Sequence, residues 1–153
     1  KAVVGIGAAV LLTSGGMATA VAQDGHSGQE ARGVNASSKA NASYAYAHAT
    51  WKWTGPGSTG KVKVYVNDQS CRDGYDSYAY MQFKRATGQI VDGDTEYPND
   101  NDRCKGPGQK HTGPRFSDDF NITKGRVVVC KNDGWPWEDD TCKKGKWHKN
   151  PKA

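Results

Sequence analysis

Ser43-Tyr-Ala-Tyr-Ala-His-Ala-Thr-Trp-Lys-Trp53 alternates without a break between two kinds of position. Tyr44, Tyr46, His48, Thr50 and Lys52 fall on one side of the chain, and Ala45, Ala47, Ala49, Trp51 and Trp53 on the other. A period of two is that of a β-strand, whose successive side chains point to opposite faces of a sheet. The rhythm continues after the turn signal Gly55-Pro-Gly-Ser-Thr-Gly60. Lys61-Val-Lys-Val-Tyr-Val66 predicts a half-buried strand with Val62, Val64 and Val66 inward and Lys61, Lys63 and Tyr65 outward. Asp76–Lys84 sets Ala79, Met81 and Phe83 against Tyr78, Tyr80 and Gln82, and Ala86-Thr-Gly-Gln89 turns it into a short strand at Ile90-Val91. Residues 92–114 hold many Asp, Asn, Gly and Pro and read as a long loop held by Cys104. Arg115–Ile122 resumes as a strand, Lys124-Gly125 turns, Arg126-Val-Val-Val-Cys130 is the continuous apolar run of a central strand, and a last strand follows Cys142.

No stretch beyond residue 22 repeats its apolar residues with the period of a helix. About six or seven short strands joined by turn-rich loops predict an all-β fold, an antiparallel β-sandwich of immunoglobulin-like layout. A true immunoglobulin domain places both cysteines of its Cys…Trp…Cys pattern inside facing strands. Cys71 lies past the end of its strand, so the likeness is one of layout.

Lys1, the apolar run Ala2–Leu12 and the small-residue series Ala18-Thr-Ala-Val-Ala22 predict a signal peptide over residues 1–22, cleaved before Gln23. The apolar run is too short to cross a hydrocarbon core about 30 Å thick, so the reading is a secreted, extracellular protein without a transmembrane segment. Residues 23–43 are poor in large apolar side chains and predict a disordered leader. Residues 44–149 then form one domain, and residues 150–153 a tail. The whole chain has 21 basic against 16 acidic residues, a formal charge of +5. That excess favours anionic partners without choosing among cell-wall polymer, nucleic acid and membrane headgroups.

Cys71, Cys104, Cys130 and Cys142 are the four cysteines, an even number suited to an oxidising compartment. Four cysteines allow three connectivities. Pairing 71–104 with 130–142 closes two turn-rich loops, each bridge worth about 2–4 kcal/mol. A zinc site would need closely spaced Cys or His pairs, which the sequence lacks.

No motif calls for a cofactor, and none marks a catalytic centre. His26, His48, His111 and His148, with Glu96, Arg115 and Arg126, are the groups from which a ribonuclease-like hydrolase would have to be built, but their spacing brings no acid and base together. Asp92-Gly-Asp-Thr-Glu96 and Asn99-Asp-Asn-Asp102 are rich in oxygen, yet the series fails the EF-hand pattern and reads as a solvated turn. Trp135 and Trp137, inside the loop closed by Cys130 and Cys142, are candidates to present a flat surface to a sugar or a protein. The lysine-rich stretch 143–152 is a candidate contact for an anionic polymer.

Gly60-Lys-Val-Lys-Val-Tyr-Val-Asn-Asp68 followed by Cys71, and Gly125-Arg-Val-Val-Val-Cys130 followed by Cys142, resemble the small exported proteins of streptomycetes. The layout over roughly residues 43–149 is similar to that of the adaptor subunit of streptomycete umbrella toxin particles. That resemblance implies a binding protein, an adaptor that engages a protein partner through an extended N-terminal segment. On this reading Tyr44, Tyr46, His48, Trp51 and Trp53 carry the contact, anchored at the tryptophan end and loosely held at the tyrosine end.

Overall fold

The computed structural model describes residues 33–70, 74–99, 107–132 and 140–153. The expectations for the signal peptide, for residues 23–32, for the 71–104 disulfide and for Trp135 and Trp137 lie outside the described residues. The described chain is all-β: β1 (Val34–Asn41), β2 (Ala45–Gly55), β3 (Ser58–Asp68), β4 (Ser77–Arg85), β5 (Ile90–Asn99), β6 (Gln109–Ser117), β7 (Ile122–Lys131), β8 (Thr141–Lys144) and β9 (His148–Lys149). One sheet runs β1-β2-β3-β6, the other β5-β4-β7-β8, with β9 also pairing β7. Every pairing is antiparallel.

The inward series read from alternation meet in one core. Ala45, Ala47 and Ala49 of β2, Val62, Val64 and Val66 of β3, Ala79, Met81 and Phe83 of β4 and Val127 and Val129 of β7 are all buried. Aromatic rings join the sheets: Trp53 meets Phe83 edge-on at 6.2 Å, and Phe83 stacks on Phe116 at 3.9 Å. Trp51 packs edge-on against Trp53 at 5.7 Å. As its apolar run suggested, β7 is interior, paired with β4 on one side and β8 and β9 on the other. The β4–β5 hairpin turns at Ala86–Gln89, where Gly88 takes φ +91°, a left-handed value that glycine adopts without strain.

Three expectations are corrected. Residues 34–41 of the expected disordered leader form β1, in register with β2 from Val34 opposite Trp53 to Asn41 opposite Tyr46. Their inward residues are small, with Ser38 and Ala40 each 2% exposed, and the Ser38 hydroxyl donates to the Lys146 carbonyl at 3.0 Å. A full backbone ladder and close packing thus replace the large aliphatics whose scarcity suggested disorder.

The second correction concerns β2, which lies between β1 and β3 and is hydrogen-bonded along both edges. It has no free tyrosine end. Its alanine face lets the second sheet come close, so the residues that looked loosely held are among the most buried, Ala45, Ala47 and Ala49 at 0% exposure.

The third is the long loop expected over residues 92–114. Instead β5 continues to Asn99 and β6 runs from Gln109 to Ser117, so the strand expected over Arg115–Ile122 stops at Ser117, and β7 passes unbroken through Lys124 and Gly125 where a turn was expected. Asp92, Asp94, Glu96 and Pro98 are exposed and alternate with Gly93, Thr95 and Tyr97. The inward members are mostly small, so polarity masked the period. Gly113 of β6 is glycine because the Tyr97 hydroxyl occupies the space a Cβ would need.

The end of the chain closes the fold. Asn150 is 6% exposed, and its amide nitrogen donates toward the carbonyls of Ile122 at 2.9 Å, Gly55 at 3.1 Å and Pro56 at 3.2 Å. One side chain therefore ties the β2–β3 turn to the start of β7.

Candidate functional site

Antiparallel pairing sets the outward residues of β1, β2, β3 and β6 in rows across the first sheet, with register shifts after Thr50 and between Lys61 and Lys63. One row is Lys39, His48, Tyr65 and Lys110, and the next is Ser37, Thr50, Lys63 and Thr112. Beyond them Asn35 pairs with Lys52, and Lys61 with Arg115. The four strands contain six fixed cations, Lys39, Lys52, Lys61, Lys63, Lys110 and Arg115, and a single carboxylate, Asp68. Asp68 has the inward phase, and it accepts hydrogen bonds from the Ser77 hydroxyl of β4 at 2.9 Å and the Ser70 amide at 2.8 Å.

An open groove of about 780 Å³ follows the cationic end of this face, lined by Asn35, Ser37, Lys52, Lys61, Lys63 and Arg115 among others. The hydroxyls of Thr54 and Ser58, 2.9 Å apart, stand in the same groove. Trp51 also lines it, with an indole nitrogen that has no partner among the described residues. The groove thus offers ammonium, guanidinium and hydroxyl donors, a set suited to a ligand rich in anionic oxygens.

At the other end of the face Tyr46 and Tyr65 form a tilted pair, 6.1 Å between ring centres. The Tyr65 hydroxyl accepts from the Gly108 amide at 3.2 Å, which fixes that ring. His48 stands beside Tyr65 in the same row. Partial burial, then the charge of Lys39 opposite, pull its pKa below the ordinary imidazole value, so His48 is neutral at neutral pH.

The outward face of the second sheet is built differently. Tyr78 and Tyr80 stack at 6.3 Å, and the Tyr78 hydroxyl donates to the Asp140 carboxylate. Arg126 donates to Gln82 at 2.9 and 2.7 Å and lies over the Trp147 ring at 4.0 Å. Burial first, then the Asp140 hydrogen bond and nearby carboxylates, push the Tyr78 pKa upward, and burial with Asp92 does the same to Tyr80. Tyr78, Gln82 and Arg126 are thus engaged with neighbouring groups, and the exposed carboxylates Asp92, Asp94 and Glu96 of β5 stand on the same sheet as its lysines.

Of the residues singled out from sequence, Tyr46 and His48 lie on the outward face of β2. Tyr44 packs against the core, and Trp51 and Trp53, at 3% and 0% exposure, anchor β2 from inside rather than offering a surface to a partner. Cys130 and Cys142 form a disulfide. The candidate acid and base groups are not brought together: His111 has its Nε2 2.7 Å from the Pro98 carbonyl oxygen, and His148 meets Trp51 edge-on. Among the described residues no three His, Cys, Asp or Glu converge on a metal position, and no helix is long and apolar enough to cross a membrane.

Sequence reasoning missed Tyr65, Lys61, Lys63, Lys110 and Arg115 as one surface. The outward phase of the first three was legible. Which strands stood beside β3 was not, and that pairing is what collects the charge. Set against family models, curated proteins and solved structures, the chain matches none of them.

Proposed function

We propose that the protein is a non-enzymatic β-sandwich binding protein that works outside the cell and holds an anionic partner on the outward face of its first sheet. The observation that carries the reading is the charge of that sheet: six fixed cations against one carboxylate, which is itself tied to the other sheet. Five of the six are lysines, mobile point charges that suit an extended anionic surface better than one bidentate group. The export-like pattern of residues 1–22 and the Cys130–Cys142 disulfide are compatible with an extracellular place of work. An adaptor role in a toxin particle, as the sequence resemblance implies, would use this face, since both edges of β2 are already paired.

The test compares two triple variants of equal net charge on an anionic exchange matrix. Lys61→Gln with Lys63→Gln and Arg115→Gln should elute at clearly lower salt than the wild type. Lys143→Gln with Lys144→Gln and Lys149→Gln, on β8 and β9, should elute close to it. Equal elution of the two triples would show that net charge alone attracts anions, and the reading would fall.

A further inference from the structure

From the joint placement of cations and tyrosines we infer that the first sheet is a platform for a single-stranded nucleic acid, bound without base-sequence preference. This rests on the reading of the face as an anion site and goes further, because a charged groove alone would suit any polyanion.

Two features narrow the class. The first is length. From Lys61 to Tyr65 the face extends four residues along β3, about 14 Å at roughly 3.4 Å per residue, so a ligand that engages both ends is extended and repeating. The second is the chemistry at the far end. Tyr46 and Tyr65 are half-buried rather than standing free, and Tyr65 is held by the Gly108 amide. A ring held in this way loses little freedom on binding, and what an aromatic pair favours is a flat partner. Lys39 and Lys110 stand in the row of Tyr65, one on either side across the sheet, so a flat group over the tyrosines has cations at its flanks.

Flat groups on a flexible backbone with one anionic oxygen pair per repeat are the description of a single-stranded nucleic acid. Proteins that bind such strands without sequence preference combine a cationic track with aromatic side chains on which bases stack. A polyphosphate fills the groove but has nothing for the tyrosines. An acidic polypeptide presents carboxylates at variable spacing and no regular series of rings. A paired duplex keeps its bases inside and turns only phosphates toward the sheet.

The experiment measures binding of a fluorescent twelve-residue oligothymidylate to the purified full chain by anisotropy at low salt, with polyphosphate and polyglutamate as competitors at equal charge. The expected result is that the oligonucleotide binds and that neither competitor displaces it until present in large excess. Tyr46→Leu should weaken oligonucleotide binding by roughly five- to a hundredfold, the range for losing one base–aromatic stack, while competition by polyphosphate against the matrix-bound protein is unchanged. Tyr46→Phe should restore most of the loss. A denaturation midpoint for each variant close to that of the wild type shows that the fold is intact.

Equal displacement by polyphosphate, with no effect of Tyr46→Leu, would overturn the nucleic-acid inference and leave the anionic face standing. Preference for polyglutamate would overturn it in favour of an acidic protein partner. If neither oligonucleotide nor polyphosphate binds, the inference and the reading of the face fall together.

Discussion

Lys61 and Lys63 on β3 and Tyr78 and Tyr80 on β4 are built alike, each pair two residues apart on the outward side of an interior strand. What stands beside them differs. Across from the lysines lie Thr112 and Arg115, donors like themselves, whereas the tyrosines lie beside Glu96 and Asp140, and Arg126 is taken up by Gln82 and Trp147. One face gathers charge of a single sign toward solvent. On the other, acid and base are mixed, and Tyr78, Gln82 and Arg126 are bound to their neighbours. Like charges set side by side on the first face repel one another, and an anion placed among them relieves that repulsion.

The largest expected effect lies beneath both faces. Trp53→Ala removes a fully buried ring that touches Trp51 and Phe83, and should destabilise the domain by about 3–5 kcal/mol in a denaturant titration, with both faces lost together. A loss below about 1 kcal/mol would mean that the sheets do not depend on this contact.

A smaller effect separates the faces. Tyr78→Phe deletes the bond to Asp140 and should cost about 1 kcal/mol without changing retention on an anionic matrix. The pH dependence has a definite sign. A phenol whose pKa is raised by folding contributes stability below the ordinary tyrosine value of about 10, and the contribution drains away as pH rises beyond it. The wild type should therefore lose stability above pH 10, and Tyr78→Phe should lose less over the same range. Parallel curves for the two proteins would remove Tyr78 from the alkaline transition.

The smallest effect on stability should come from the residues with the largest proposed effect on binding. Lys61→Gln with Lys63→Gln should move the denaturation midpoint by no more than the equivalent of about 0.5 kcal/mol in either direction. A destabilisation of 2 kcal/mol or more would show that these lysines hold the fold, and would erase the contrast between the two sheets.

Strands whose inward positions are all apolar and alternate with polar or aromatic ones were legible in the sequence. Val62, Val64 and Val66 fixed the phase of β3, and Ala79, Met81 and Phe83 that of β4. β1 and most of β5 were hidden because inward positions such as Ala36, Ser38, Ala40, Gly93 and Thr95 hold small or polar side chains that leave little trace in hydropathy. Half of the candidate site was visible in the same sense. Tyr46 and His48 stood out by their own alternation, whereas their association with Tyr65, Lys110 and Arg115 depends on the order β1-β2-β3-β6, a long-range fact that no local pattern encodes.

Asn150 acts as a keystone across distant parts of the chain. Its amide reaches carbonyls 95, 94 and 28 positions earlier, those of Gly55, Pro56 and Ile122. The same joint carries two backbone bonds, from the Ile122 amide to the Pro56 carbonyl at 2.7 Å and from the Asp118 amide to the Gly57 carbonyl at 2.9 Å. Contacts of such span gain nothing until the intervening chain is in place, so this corner belongs to the cooperative part of folding and to no single hairpin.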